Sequence, residues 1–280
     1  MPETFARPQA PWALRLLPPF PSIAHRIMAL AGRDDINIHE IGAVVRMDPS
    51  FSADLLRVAN SSLFNVRREI TSLAQAIFLV GTERVKAMAT LVAINRMVRA
   101  SVGVAALRKV WLHSLVTAAI AEEAAPLVGV EREHAYTAGL LHNLGVLGLM
   151  SAYPDEYSHM LAVSDDFGFD LLQTERDLFE IDHCAAGAYL AQDWDFPDEL
   201  AAVIATHHDL PVAGERSAYH LIQVSWRLSD ALGYAAFSPE KQWTWEELIA
   251  LLPGAEGSWL GESLEVAQAE LAKRVAAAAL

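Results

Sequence analysis

Apolar residues recur along this chain at helical spacing, and the alternation that marks a half-buried strand is scarce. The segment LPPFPS at 17–22 is a stiff turn leading into an amphipathic helix at 23–31. Asn37, with Glu40 three residues on, opens a helix over about 37–47. Asp48-Pro49 pairs a cap with a proline at the first helical position and opens the next helix, which ends near Asn60. Ser72 and Gln75 read as a capping box, Gly81 as the stop of that short helix, and Thr82 as the start of a longer one reaching about Arg99. From Val104 onward the pattern predicts helices at about 104–125, 131–151, 154–165, 170–180, 183–193, 197–208 and 216–233. Gly129, Pro154, Pro197 and Pro211 punctuate them. Thr244 and Glu247 form a second capping box, and 263–279 is a last amphipathic helix.

These elements give an all-α chain. Residues 1–10 read as a flexible tail, 11–103 as an N-terminal helical subdomain, 104–235 as a second helical subdomain, and 236–280 as a C-terminal helical extension.

Several polar residues interrupt the apolar stretches of the second half. They are His113, His142, Asn143, His183, His207, His208 and Asp230. Imidazole and carboxylate groups spread over several helices suit a divalent first-row ion, such as Fe, Mn, Zn or Ni, in a bundle core. A pair of such ions would activate water for attack on a phosphoester. A lone helical histidine is more often a core or capping residue, and Asn143 argues for no metal at all. It stands where two cations would share a carboxylate, and an amide brings no charge. Cys184 reads as a small core residue, because no orienting partner for a reactive thiol is evident.

Composition narrows the partners. The chain has 35 acidic and 21 basic residues, a formal charge of −14, and such a field repels phosphate backbones. Nucleic acid is therefore not an expected partner. Arg67-Arg68 and Arg84-Lys86 are local basic spots that read as solvated helix faces. A single cysteine excludes an intrachain disulfide and points to a reducing cytoplasm. The proline-rich start lacks the apolar core of a signal peptide, and no apolar run is long enough for a membrane span. Trp243 and Trp245 read as staples for the last helices, and the final helix offers a face for a homodimer.

A family resemblance follows from longer segments. They are LPPFPSIAHRIMAL, VVRMDPSFSADLLRVANSSLFNVRREITSLAQAIFLVGTERVKAMA, WLHSLVTA, TAGLLHNLGVLGL, DHCAAGAYLAQDW and AVIATHH. Over roughly residues 12–235 the chain resembles the HDOD domain, a relative of the HD phosphohydrolases and HD-GYP cyclic-dinucleotide phosphodiesterases. The resemblance implies a multi-helix bundle and a regulatory role in bacterial signal transduction, with signalling proteins or a nucleotide-type ligand as partners. It implies that His113 is the first HD-type ligand and His142 the histidine of the HD pair. Asn143 then replaces the aspartate, His183, His207 and His208 are the further ligands of the HD-GYP relatives, and Asp230 is the final aspartate. The expected function is regulatory and non-catalytic, with a divergent metal-dependent phosphohydrolase as the alternative.

Overall fold

The structure, a computed structural model, describes residues 12–15, 38–46, 49–60, 66, 70–82, 84–85, 88–89, 104–164, 170–194, 196–237 and 243–278. The expected tail at 1–10 and the helix at 23–31 lie outside these residues, as does most of the helix at 82–99 and the pair Arg67-Arg68. The described residues form helices and turns, with no strand among them.

The first unit comprises α1 (Ile38–Val45), α2 (Pro49–Ala59) and α3 (Leu73–Val80). Ile41 and Val45, then Phe51, Leu55 and Ala59, recur every fourth residue and so share a face. They close on Ala76, Ile77 and Val80 of α3 to make a small separate core. Gly81 ends α3 as expected, with φ of 87° and its N–H on the Ile77 carbonyl. The expected capping box does not form. Ser72 has the extended backbone of an N-cap, but its side chain makes no cap hydrogen bond.

Asn60 closes the connection between α2 and α3. Its amide donates to the carbonyls of Leu56 (2.9 Å) and Ile70 (2.7 Å), and its oxygen accepts from the Ile70 N–H (2.6 Å). The side chain thus pairs with Ile70 as a neighbouring peptide would. Asn60→Ala leaves a part-buried N–H and carbonyl without partners, so chemical denaturation is expected to show a loss of roughly 2 kcal/mol.

The second unit is built around α4 (Val104–Val128). Residues 113–122 are buried without a break and so cover every face of it, as suits a central helix. α4 packs against α5 (Arg132–Leu141) and α11 (Ala218–Ser229). Around them lie α6 (Leu144–Ala152), α7 (Pro154–Ser164), α8 (Leu171–Phe179), α9 (His183–Asp193) and α10 (Asp198–Thr206). A π-helical turn, Asp230–Tyr234, continues α11, and α12 (Trp245–Ile249) and α13 (Leu264–Ala278) finish the chain. The Thr244–Glu247 capping box of α12 is present. Ala13 and Leu14, although first in sequence, belong to this second core.

One expected helix is broken. The pattern at 131–151 predicts a single helix, but the chain turns at His142-Asn143, where Asn143 has φ of −90° and ψ of 21°. The break follows from a close helix crossing. A Cβ on Gly145 of α6 would lie 1.8 Å from the His183 carbonyl oxygen and 2.6 Å from the Gly187 nitrogen. A Cβ on Gly187 would meet the Gly145 nitrogen at 2.9 Å. Two glycines therefore let the backbones of α6 and α9 touch, which brings His183 to the end of α5.

The two units meet at Arg84. The sequence suggests a solvated basic face there, but Arg84 is buried. It pairs with Glu122 of α4 and lies 3.4 Å from Glu133 of α5, with its guanidinium 4.8 Å from the Tyr136 ring centre. Its charge is used inside the protein. The last helix packs on the body of its own chain through Ala267 and Leu271, while Arg274 lies 3.7 Å from Glu123. Trp245 is buried in the same core, on a helix that packs against α11, in keeping with a staple. Among the described residues no helix is long and apolar enough to cross a membrane.

Candidate functional site

Five histidines converge in the second unit. His113 comes from the middle of α4 and His142 from the end of α5, and their ring centres lie 5.3 Å apart. His142 is 5.1 Å from His207, which follows α10, and His207 is 5.3 Å from His183 at the start of α9. His208 lies 4.8 Å from His183 and 4.6 Å from His207. The helix break at Asn143 and the Gly145–Gly187 crossing assemble this chain of rings. Asn143 is buried beside them, and its side-chain nitrogen has no hydrogen-bond partner.

Asp230 sits at one end, on the π-helical turn that Gly233, at φ of 90°, brings to a close. Its Oδ1 is 3.3 Å from Nδ1 of His113, which also faces the Tyr234 carbonyl at 3.1 Å. Burial holds His113 down to about 4, against the pull of that carbonyl. Burial pushes the Asp230 carboxyl up to about 8, although Arg227 opposes the shift.

Burial also holds His142, His207 and His208 well below the ordinary histidine range, and the neighbouring rings add to the effect. His183 is different. Burial opposes its protonation, but the Glu175 carboxylate, with Cys184, outweighs that cost and raises it well above the ordinary range.

Glu175 is the residue the sequence reading missed. It is fully buried on α8, and its Oε2 accepts from both the backbone N–H (2.8 Å) and ring Nδ1 (2.7 Å) of His183. Its Oε1 accepts from the Tyr157 hydroxyl. A signal was present in the sequence: Leu171, Glu175 and Phe179 lie at intervals of four, so the glutamate occupies the apolar face of its helix. The Asp182 carboxylate caps α9 by accepting from the Ala185 N–H, which fixes the backbone at His183.

The donor set suits a metal ion. His183, Cys184, His207 and His208 offer ligand atoms that all lie within 4.8 Å of one another. The Nε2 atoms of His183 and His207 are 3.3 Å apart, about the edge spanned by two nitrogens each about 2.0 Å from one tetrahedral ion. Nδ1 of His183 donates to Glu175 and Nδ1 of His207 to the Ile204 carbonyl at 2.7 Å, so both Nε2 atoms face a ligand position, that of His183 once it gives up its proton. His142 Nε2 is buried without a partner, a costly state that a ligand would relieve. Cys184, read from sequence as core, is buried as expected but also borders this group, with Sγ 3.8 Å from Nδ1 of His207.

Residues 17–210 match the family model of the HDOD domain. The chain belongs to the HDOD domain family. The matched span includes every site histidine, while Asp230 lies beyond it. An HDOD domain protein of unknown function from Geobacter sulfurreducens has the same fold, with a TM-score of 0.70 and 23% identity over 93% of this chain and 92% of that one. A phosphohydrolase candidate from Shewanella amazonensis SB2B aligns with a TM-score of 0.71 and 22% identity over 96% and 99% of the two chains. A signal-transduction candidate from Marinobacter aquaeolei VT8 gives 0.69 and 25% identity, covering 94% of this chain and 59% of its own. An uncharacterized protein of Treponema pallidum (strain Nichols) is 25% identical over 201 residues, 71% of this chain. This HDOD chain spans 39% of that relative's length.

Proposed function

We propose that this HDOD protein is a regulatory signal-transduction module that performs no hydrolysis. On this reading the histidine cluster holds at most one divalent ion or a small ligand, and the helical surface contacts signalling proteins. One observation carries it: among the described residues, no carboxylate lies free in the middle of the cluster to bridge two cations. Asn143 is a neutral amide, Glu175 is engaged by His183 and Tyr157, and Asp230 stands at one end of the cluster, 3.3 Å from Nδ1 of His113. Two divalent ions a few ångströms apart repel strongly unless anionic ligands lie between them. A single ion has a fitting set in His183, His207 and His208, with Cys184 beside them. When bound, such an ion supplies Lewis acidity and lowers the pKa of a water. The chain's own residues orient the imidazoles and shield the site from solvent.

A divergent metal-dependent phosphohydrolase is the second reading, favoured by the convergence of five imidazoles and the unpartnered Nε2 of His142. Elemental analysis of the purified protein, followed by assays on cyclic dinucleotides and generic phosphoesters, separates the two. The regulatory reading expects no more than one ion per chain and no turnover. It also expects Asn143→Asp to raise the ion content toward two, because that change supplies the missing charge. Turnover by the wild type that disappears in His142→Ala would sink the regulatory reading.

A further inference from the structure

The carbonyls at a helix C-terminus have no donor within their own helix and are commonly met by water or by the turn that follows. At the end of α10 the Thr206 carbonyl accepts from the Asp209 N–H of the following turn, and side chains meet it and the next two. Gln223 Nε2 donates to the Thr206 carbonyl (3.0 Å), Trp226 Nε1 to that of His207 (2.5 Å), and Arg227 Nη2 to that of His208 (2.9 Å). Three consecutive carbonyls thus accept from positions 223, 226 and 227 of α11. Those positions, three and four apart, form one helix face.

The grip extends to the rings. The Trp226 indole lies 4.7 Å from the His208 ring at a tilt of 34°, and it meets His207 and His113 edgewise at 6.5 and 6.4 Å. Arg227 is anchored in turn. Its Nη1 donates to the Gln223 carbonyl (2.8 Å), and its guanidinium lies 4.4 Å over the Trp226 ring. Apolar packing of α10 against α11 does not require these donors, since Leu221, Val224 and Leu228 already bury that helix. What the donors fix is the carbonyl direction of the two adjacent histidines, and with it the azimuth of both rings.

We infer that Gln223, Trp226 and Arg227 are positioning residues that set the ring orientations of His207 and His208. The part of this inference that concerns ion affinity rests on the single-ion reading above. Adjacent residues on a regular helix point about 100° apart, so two neighbouring imidazoles reach one ligand only if the backbone between them is held in a particular turn. The α11 face supplies that hold from outside the helix, as outer partners of metal-ligating histidines do.

The test compares the wild type with Trp226→Phe, Arg227→Gln and Arg227→Lys, each as the full chain. Trp226→Phe keeps the aromatic contact and removes the donor, and Arg227→Lys keeps the charge and one donor. In the metal-free protein, histidine ring nitrogen NMR is expected to show the His207 and His208 signals shifted or broadened in Trp226→Phe and Arg227→Gln. The His183 signals stay in place, and Arg227→Lys recovers part of the change. Zn²⁺ affinity, read by competition with a chromogenic chelator, is expected to fall about 10- to 100-fold in the same two variants. In a His208→Ala background Arg227→Gln should add little to the loss already present.

Unchanged His207 and His208 signals would overturn the inference. So would an Arg227→Gln penalty that carries over in full onto His208→Ala. A wild type that takes up no Zn²⁺ sinks the single-ion reading instead, and the ring signals of the metal-free protein then decide the positioning role alone.

Discussion

Gly145→Ala is expected to lower the melting temperature by roughly 10 °C, a loss of about 3 kcal/mol or more. The added methyl would have to occupy the space of the His183 carbonyl oxygen, 1.8 Å away, and of the Gly187 nitrogen. Backbone cannot rotate aside as a long side chain can, so α6 and α9 must separate. The separation draws His183 away from His142 and His207, so the variant should lose histidine convergence along with stability. Circular dichroism melts measure the first effect, and ring NMR of the histidines the second. A variant that melts with the wild type would show that the two helices do not cross this closely. A small residue at Gly187 serves the same crossing, where a Cβ would also press on Ile204 at 2.6 Å.

The second large effect belongs to Glu175→Gln. The carboxylate is fully buried and compensates a buried imidazolium, so its loss leaves His183 either charged without a partner or forced to give up its proton. Removing one member of such a pair costs on the order of 3–5 kcal/mol. Glutamine keeps the volume and one acceptor, so the charge is what the substitution tests. The pH dependence follows from the raised value of His183. Its stabilising contribution is complete below the unfolded value, near 6.5, and is lost as pH rises through the higher folded value. Urea unfolding of the wild type should therefore show stability falling on the alkaline side, and Glu175→Gln should flatten that slope. Equal slopes in the two proteins would remove the ion pair from the account.

Local chemistry made much of this molecule legible in its sequence. The Thr244–Glu247 box depends on a neighbour three residues away, and its helix begins where the sequence places it. Helical period and proline placement located α7, α9 and α10 almost to the residue. The histidines stood out because each interrupts an apolar run. What sequence could not reveal depends on distant parts of the chain. AGLLHNLG has the composition of a continuous helix, and the break at Asn143 answers to the crossing with α9, some forty residues on. Arg84 resembled a surface charge because Glu122 and Glu133 are brought to it only by the fold. Glu175 hid among Gln173, Arg176 and Asp177, residues typical of a wet helix face, and only its phase relative to Leu171 and Phe179 set it apart. The donors on α11 were invisible for the same reason: their acceptors are main-chain carbonyls, which leave no trace in a pattern of residue types.

The ionic seam at Arg84 has a consequence for how the protein comes apart. Only the N-terminal core is small, and besides the contact of α13 with α2 it is tied to the larger one by a guanidinium buried against carboxylates from the other side. If the N-terminal unit opens first, Glu122 of α4 is left largely buried without its counter-charge. That penalty falls on the remaining unit, which holds the histidines. Local opening at one end thereby lowers the stability of the other, which couples the two units.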